Sequence, residues 1–429
     1  MALPQRLALT TGKRSWNTSL GKWGLLAGLI VGLGIALLFG HAYDIKIFMA
    51  TGYLVASGQN PYVAQDLTAV FQDSAFRGMT SIGYPPPWAL ILGLIYQVTY
   101  AWIPNLLLYN LAIKLPIIAA LIGLAYLVAG ILEVLGAEAG EVRKAWITML
   151  VSPFVVYFSA AWGQFDAIVA LLALFSMLLL YRGRTFGAAA SLALAVAFKP
   201  TAMPLILVAF LYLWGRSRKK ALRYGIAVLL GLLLFCVAPF VVFGWNATPI
   251  LRGWNAHFTV AGGMSWMTYL ELLKDSYLLP GSTWLLGLAW LPAIGVASLY
   301  TFKRGIGDFR DLLKVSTGFI LVFFLTRTWL SEPNVLLLLP FVVILSYSGD
   351  LPKAALAALW SLPLIFTIFN NSLPQLLFPA FPRTMEAWLG LDEIFRSIRL
   401  IARIGVVFLW QAVGWYLVVM CLGNRPSEK

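Results

Sequence analysis

The sequence predicts an all-α, polytopic integral membrane protein, and two observations carry that prediction. Hydrophobic residues fill 61% of the 429 positions and charged residues only 11%, against about 25% charge in an ordinary soluble domain. The apolar residues also fall in runs of roughly 18 or more, long enough to cross about 30 Å of hydrocarbon as helix. Backbone groups in lipid must be bonded within their own segment, which favours helices. Strand-like alternation in units of about ten residues does not occur, which argues against an outer-membrane barrel.

The formal net charge is +14. The basic residues sit in short loops between apolar runs, as the positive-inside rule requires. No zinc-finger spacing or basic stripe with interleaved aromatics is present, so nucleic acid is not an expected partner. Cys236 and Cys421 both lie in apolar runs and build neither a disulfide framework nor a metal cluster. Arg6, Lys13, Arg14 and Lys22 precede the first apolar run with no small-residue cleavage site after it. That reads as a retained anchor with a cytoplasmic N-terminus over residues 1–23.

The first span covers about Trp23–Gly40. Residues 41–83 then form a first extracytoplasmic loop. Within it, Asp44–Ser57 and Asp66–Gly78 read as short amphipathic helices lying on the membrane surface, separated by the breaker Gly58-Gln59-Asn60-Pro61. Further apolar runs bring the total to roughly 11–13 transmembrane helices. The basic loops Arg182–Arg184, Arg216–Arg223 and Lys303–Lys314 should share the cytoplasmic face. Later extracytoplasmic loops fall at 244–280 and 371–400. One stretch admits two readings. If both the run after Tyr84 and the run 105–134 cross, Arg143-Lys144 lands outside, against the charge rule. Either one run only dips into the membrane, or 105–134 bends at Pro116. The whole chain, 1–429, reads as one transmembrane domain without tandem repeats.

Ionisable residues near a bilayer are costly and so are candidates for function. Here they collect at one side: Asp44, Asp166, Lys199, His257, Arg327 and Glu332 all fall at expected extracytoplasmic ends of apolar runs. Asp44 reads either as a helix N-cap or as a general base held at the membrane face. Tyr84-Pro85-Pro86-Pro87-Trp88 is an ordinary helix start with interfacial aromatics, weak alone. In Trp162-Gly163-Gln164-Phe165-Asp166, Gln164 and Asp166 sit in a polar hinge, with Asp166 as a turn cap in the plain reading. Lys199 stands where lysines should be scarce, so it either meets a phosphate or snorkels to the interface. Arg327, Glu332 and Asn334 mark a second hinge, where Arg327 either clamps a phosphate or pairs with Glu332. His257 is one of two histidines, and a lone histidine is more often structural than catalytic.

In order, Asp44 after the first span, Gly58-Gln59-Asn60-Pro61-Tyr62, Tyr84-Pro85-Pro86, Gly163-Gln164 after Ser152-Pro153, and Lys199-Pro200 form a set. This set resembles the polyprenol-phosphate-sugar-dependent membrane glycosyltransferases of the GT-C superfamily. Within it, the nearest pattern is the prokaryotic mannosyltransferase group called family eighty-seven. The resemblance covers about residues 24–215, and the C-terminal half only by hydropathy and the Arg327–Asn334 hinge. It implies a GT-C-like fold and makes Asp44 the catalytic base, because the family's catalytic aspartate follows its first span. Some members also use a histidine in a later extracytoplasmic loop, which His257 matches. Tyr43 and Ile45 flank Asp44, so the two-acid metal signature of some superfamily members is missing and no cofactor is expected.

The implied reaction moves a sugar, mannose or another hexose, from a polyprenyl-phosphate donor to a lipid- or glycan-linked hydroxyl, with inversion. Asp44 takes the hydroxyl proton, while Lys199 and Arg327 stabilise the leaving phosphate. No Gly-rich nucleotide loop or Rossmann unit offers a nucleotide sugar its usual home. The competing class is a lipid or glycolipid transporter or flippase. That class predicts paired interruptions near the midplane of two halves, and the sequence shows none.

Overall fold

The computed structural model describes residues 19–257, 260–270, 281–370, 372–392 and 396–423. Of the described residues, 78% are helical. Among the described residues, five helical stretches are long and apolar enough to cross a membrane: Leu106–Val134, Ala139–Trp162, Arg218–Phe243, Leu285–Arg304 and Ile398–Gly423. Seven shorter apolar helices pack among them. The outward faces are strongly apolar, with Val296, Phe408 and Val419 among the large exposed side chains. A surface of that kind belongs in lipid, and the chain is an all-α membrane protein.

In order, α1 is Ser19–Leu38, α2 Ala42–Ala56, α3 Pro86–Val98, α4 Leu106–Val134 and α5 Ala139–Val151. Next come α6 (Asp166–Tyr181), α7 (Thr185–Phe198), α8 (Pro204–Trp214), α9 (Arg218–Leu232) and α10 (Thr248–His257). The C-terminal part has α11 (Trp290–Arg304), α12 (Phe309–Thr326), α13 (Val335–Tyr347), α14 (Lys353–Phe369), α15 (Pro382–Asp392) and α16 (Arg396–Gly423). The centre is α13. Every residue from Val335 to Ser346 is buried, as an all-round apolar helix should be. By contrast α9 buries only Ala221, Tyr224 and Val228. Those three fall on one narrow stripe, and Leu222, Ile226, Leu229 and Leu230 are exposed on the opposite side.

Cross-links divide the bundle into two ends. At one end Lys353 Nζ bonds Glu141 at 2.6 Å, Lys314 bonds Asp350 at 2.7 Å, and Arg310 reaches the Leu135 carbonyl at 3.3 Å. Arg216 bonds the Ile306 carbonyl at 3.2 Å at the same end. The basic loops therefore gather at one end of the molecule. The other end holds His41, Asp44, Tyr84, Trp162, Asp166, Lys199 and Glu332, as the contacts below show.

This arrangement resolves the stretch that admitted two readings. α3 packs along α2 at the Asp44 end and does not travel to the basic end. α4 is one continuous helix with Pro116 inside it. Arg143-Lys144 consequently sit beside the other basic loops. Two expectations need correction. α2 is not a surface helix: Ile45, Phe48, Met49 and Leu54 are buried against the neighbouring helices. Asp66–Gly78 is not one helix but two short turns, Thr68–Phe71 and Ser74–Phe76. The left-handed Gln72 and the Asp73 cap, which accepts from Ala75 N–H, stop any longer helix there.

α4 also carries the strongest polar feature of the interior. Lys114 is fully buried. Its ammonium donates to the carbonyls of Ala36 (3.2 Å), Ala161 (3.1 Å) and Phe39. Asn110, one turn earlier, donates to Ala36 and Phe39 carbonyls at 2.8 and 3.0 Å. Helix C-termini leave carbonyls without partners and carry negative dipole charge, so a cation there is favourable. Lys114 therefore pins the end of α1 to the end of the π-helical turn Val156–Trp162. Those two ends carry His41 and Trp162 into the site.

Candidate functional site

Asp44 lies in the first turn of α2, where the helix dipole favours negative charge. The N-cap of α2 is His41, so Asp44 does not cap it. Its carboxylate instead accepts from the Trp162 indole N–H, at 2.6 Å to Oδ2. His41 Nδ1 stands 3.4 Å from the same oxygen. The His41 ring stacks on the Trp162 indole at 4.1 Å and 3°, and the His41 N–H donates to the Trp162 carbonyl at 3.2 Å. Burial holds the imidazole below its ordinary value despite the charge of Asp44, so His41 is neutral at pH 7. The Asp44 side chain keeps 17% exposure, enough to meet a polar reactant.

The Trp162–Asp166 hinge makes a close approach possible. Gly163 has φ +93°, and a Cβ there would come within 2.6 Å of Ile45 and 2.9 Å of Lys114. Asp166 is not the N-cap of α6, which is Phe165. Its two oxygens take Lys199 Nζ at 2.9 and 2.8 Å, with both side chains buried. Lys199 lies at the end of α7, 5.4 Å from the centre of the Tyr84 ring. Burial, then the charges of Asp44 and Asp166, raise the Tyr84 phenol well above its ordinary value, which keeps it protonated. Tyr84, Asp44, Asp166 and Lys199 thus form one electrostatically connected group.

The other sequence motifs support this group. Asn60 bonds the Asn246 carbonyl at 3.0 Å, and the Tyr62 hydroxyl donates to the Tyr84 carbonyl at 3.2 Å. The Gln59-Asn60-Pro61-Tyr62 stretch is therefore a clip that fixes Tyr84 to the segment after Phe243. Gln164 is buried, and its Oε1 accepts no hydrogen bond among the described residues.

The second hinge joins the same end. Glu332 is buried and accepts from Asn370 at 2.9 Å, and Asn370 accepts from Arg403 at 2.7 Å. Burial pushes the Glu332 carboxyl up to about 7, with the charge of Asp44 adding to the rise. Asn334 is buried beside it, its Oδ1 without a hydrogen-bond partner among the described residues. Arg327 is half-buried over the Phe323 ring at 5.1 Å. The expected Arg327–Glu332 pair does not form; Asn370 occupies Glu332 instead. Among the described residues, Arg327 makes no ion pair within 4.0 Å. A parallel two-residue pairing of Gly262–Gly263 with Trp329–Leu330 ties the segment after α10 to this hinge. His257 ends α10, and its side chain lies outside the described residues.

Trp162, His41, Asn370, Arg403 and Lys114 went unread as members or supports of the site. Lys114 had a signal, a lone cation deep in an apolar run. His41 had one too, three residues before Asp44 on the same helix turn. Asn370 and Arg403 had none, because their partner Glu332 is distant in sequence. Among the described residues no three His, Cys, Asp or Glu side chains gather as a metal site. A scan of family models and a search of curated proteins both match nothing to this chain.

Proposed function

We propose that this chain is an inverting membrane glycosyltransferase with a GT-C-like fold, using a polyprenyl-phosphate sugar as donor. The observation that carries the reading is Asp44: a carboxylate aimed by Trp162 and His41, open to solvent on one side, at one end of a lipid-embedded bundle. The donor's isoprenoid tail lies against the apolar flank, while its phosphate and sugar reach the polar end.

In the reaction, an acceptor hydroxyl oxygen attacks the anomeric carbon from the face opposite the phosphate. The carbon–oxygen bond to phosphate breaks, and its electron pair leaves with the polyprenyl phosphate. The hydroxyl proton passes to Asp44, which returns it to water at its open side. Arg327 is the favoured phosphate ligand, because among the described residues no carboxylate lies within 4.0 Å of it and a guanidinium grips two phosphate oxygens. Lys199 is already committed to Asp166, so its part is to fix Asp166 and Tyr84, with its charge reaching the phosphate at longer range. Gln164 and Asn334 carry buried amide oxygens without a partner among the described residues, which reach sugar hydroxyls once the hinges around them open. His257 remains a candidate second catalytic group on the resemblance alone. The acceptor is a lipid- or glycan-linked hydroxyl, and the chemistry faces the extracytoplasmic side of the cell membrane.

The test is direct. Purified protein is incubated with a panel of radiolabelled polyprenyl-phosphate sugars and membrane lipid extract. A new labelled glycolipid supports the reading. If no donor in the panel yields a product, while the protein moves labelled lipid across vesicle bilayers, the flippase reading replaces it.

A further inference from the structure

The end of the bundle opposite Asp44 carries a second feature. α7 and α9 pack side by side. The first turn of α7 lines one cavity with Lys220 and Arg223 near the start of α9, and further along Ala193 meets Gly231, so the two run parallel. Gly231 permits the approach, since a Cβ there would come within 2.7 Å of Ala193 Cβ. Both helices start at the basic end. Their positive dipole ends therefore point to the same place, with Ser217 capping α9 by accepting from the Lys220 N–H.

Three cations stand there. Arg184, Lys220 and Arg223, with Thr185, line a cavity of about 320 Å³. No acidic residue lines it, and among the described residues none of the three cations makes an ion pair within 4.0 Å. Elsewhere at this end Arg304, Lys314 and Lys353 are neutralised by Asp311, Asp350 and Glu141. Arg184, Lys220 and Arg223 therefore bring three unneutralised charges to the start of α7 and α9.

A second cavity of about 430 Å³ continues from the first and shares Phe186 and Arg223 with it. Ala190, Ile226, Leu230, Leu234 and Phe235 line it, and Arg223 is its only charged residue. Ile226 and Leu230 are exposed outward, at 60% and 59%, on the face of α9 that meets lipid. The whole is a slot with an apolar length and a cationic mouth, open to the bilayer from the side.

We propose that this slot binds one anionic glycerophospholipid. The acyl chains lie along Ala190, Ile226 and Leu230. The phosphate sits at the paired helix starts, held by Arg184, Lys220 and Arg223. Charge complementarity selects an anionic headgroup over a zwitterionic one, and basic pockets between membrane helices are suited to such headgroups. The apolar slot selects a lipid over free phosphate. This assignment is independent of the glycosyltransferase reading.

The test uses full-length protein exchanged into vesicles of phosphatidylglycerol or phosphatidylcholine, then released from detergent for native mass spectrometry. The wild type should retain one phosphatidylglycerol at least tenfold more often than phosphatidylcholine. The combined variant R184Q/K220Q/R223Q should lose that preference. Ala190→Trp, which fills the slot at an exposed position and leaves the cations in place, should also lower retention at least tenfold. Millimolar inorganic phosphate should not displace the lipid. Equal retention of the two lipids by the wild type overturns the proposal. So does unchanged phosphatidylglycerol retention in either variant, or displacement by phosphate, which would mark a headgroup-only anion site.

Discussion

The Trp162 indole N–H donates to Asp44 Oδ2 at 2.6 Å, while the ring that carries it stacks on His41 at 4.1 Å. One tryptophan therefore fixes the carboxylate and the residue that caps its helix. Trp162→Phe keeps an aromatic face for His41 but removes the donor. The account expects turnover to fall about tenfold or more, since hydrogen bonds to charged groups contribute about 1.5–3 kcal/mol. Steady-state kinetics of the purified variant measure it. A kcat equal to wild type would mean that Asp44 needs no aiming.

Lys114 should matter to the fold before it matters to chemistry. Lys114→Met keeps the apolar stem and leaves the Ala36, Phe39 and Ala161 carbonyls with fewer partners. Each buried group left unsatisfied costs about 1–3 kcal/mol. The thermal midpoint in detergent should fall by several degrees or more. A midpoint within a degree of wild type would show that the pin between α1 and the Trp162 turn is dispensable.

The Asp166–Lys199 pair offers a double-mutant cycle. Removing one partner of a buried ion pair strands a charge and costs about 3–5 kcal/mol. Asp166→Asn and Lys199→Met should each destabilise strongly, and the double variant should be more stable than either single one predicts. Strict additivity of the two losses would remove the pair as a structural unit. A Lys199→Met protein that stays stable but loses donor binding would instead give Lys199 the direct phosphate role.

Glu332 predicts a pH dependence of stability. Its folded carboxyl is pushed up to about 7 by burial, above the unfolded value of about 4.3. The folded state therefore holds the proton more tightly. Its stabilising effect is complete below the unfolded value and is lost as pH rises through about 7. The wild type should unfold at a higher temperature at pH 5 than at pH 8, and Glu332→Gln should flatten that difference. An equal slope in both proteins would place the titrating group elsewhere.

Much of this was legible in the sequence, and the missed parts share a cause. The helices follow directly from apolar runs, and the gathering of polar residues at one end follows from charge placement. Asp44, Asp166, Lys199 and Glu332 were each visible as costly residues at run ends. Their partners were not, because hydropathy does not report which end meets which. Asp166 with Lys199 joins the two ends of a helical hairpin, and Glu332 with Asn370 joins two other helices. α2 looked like a surface helix because it is short and its Phe, Tyr and Leu side chains read as one apolar face. In the fold, Asp44 turns to Trp162 and Lys46 lies over the Phe378 ring at 5.8 Å, so the helix is buried with its charges placed.

The central claim is that Asp44 removes the acceptor's proton, and Asp44→Asn tests it most directly. Asn keeps the shape and an oxygen for the Trp162 N–H, and Asp44 does not cap its helix, so the fold should survive. The measurement is the rate of glycolipid formation by the purified variant, beside its binding of labelled donor lipid. The account predicts donor binding within a few-fold of wild type, with the rate lower by a hundred- to ten-thousandfold, the usual worth of a general base. A variant that transfers sugar at a near-normal rate would contradict it and place the base at another carboxylate, with Asp166 the next to test.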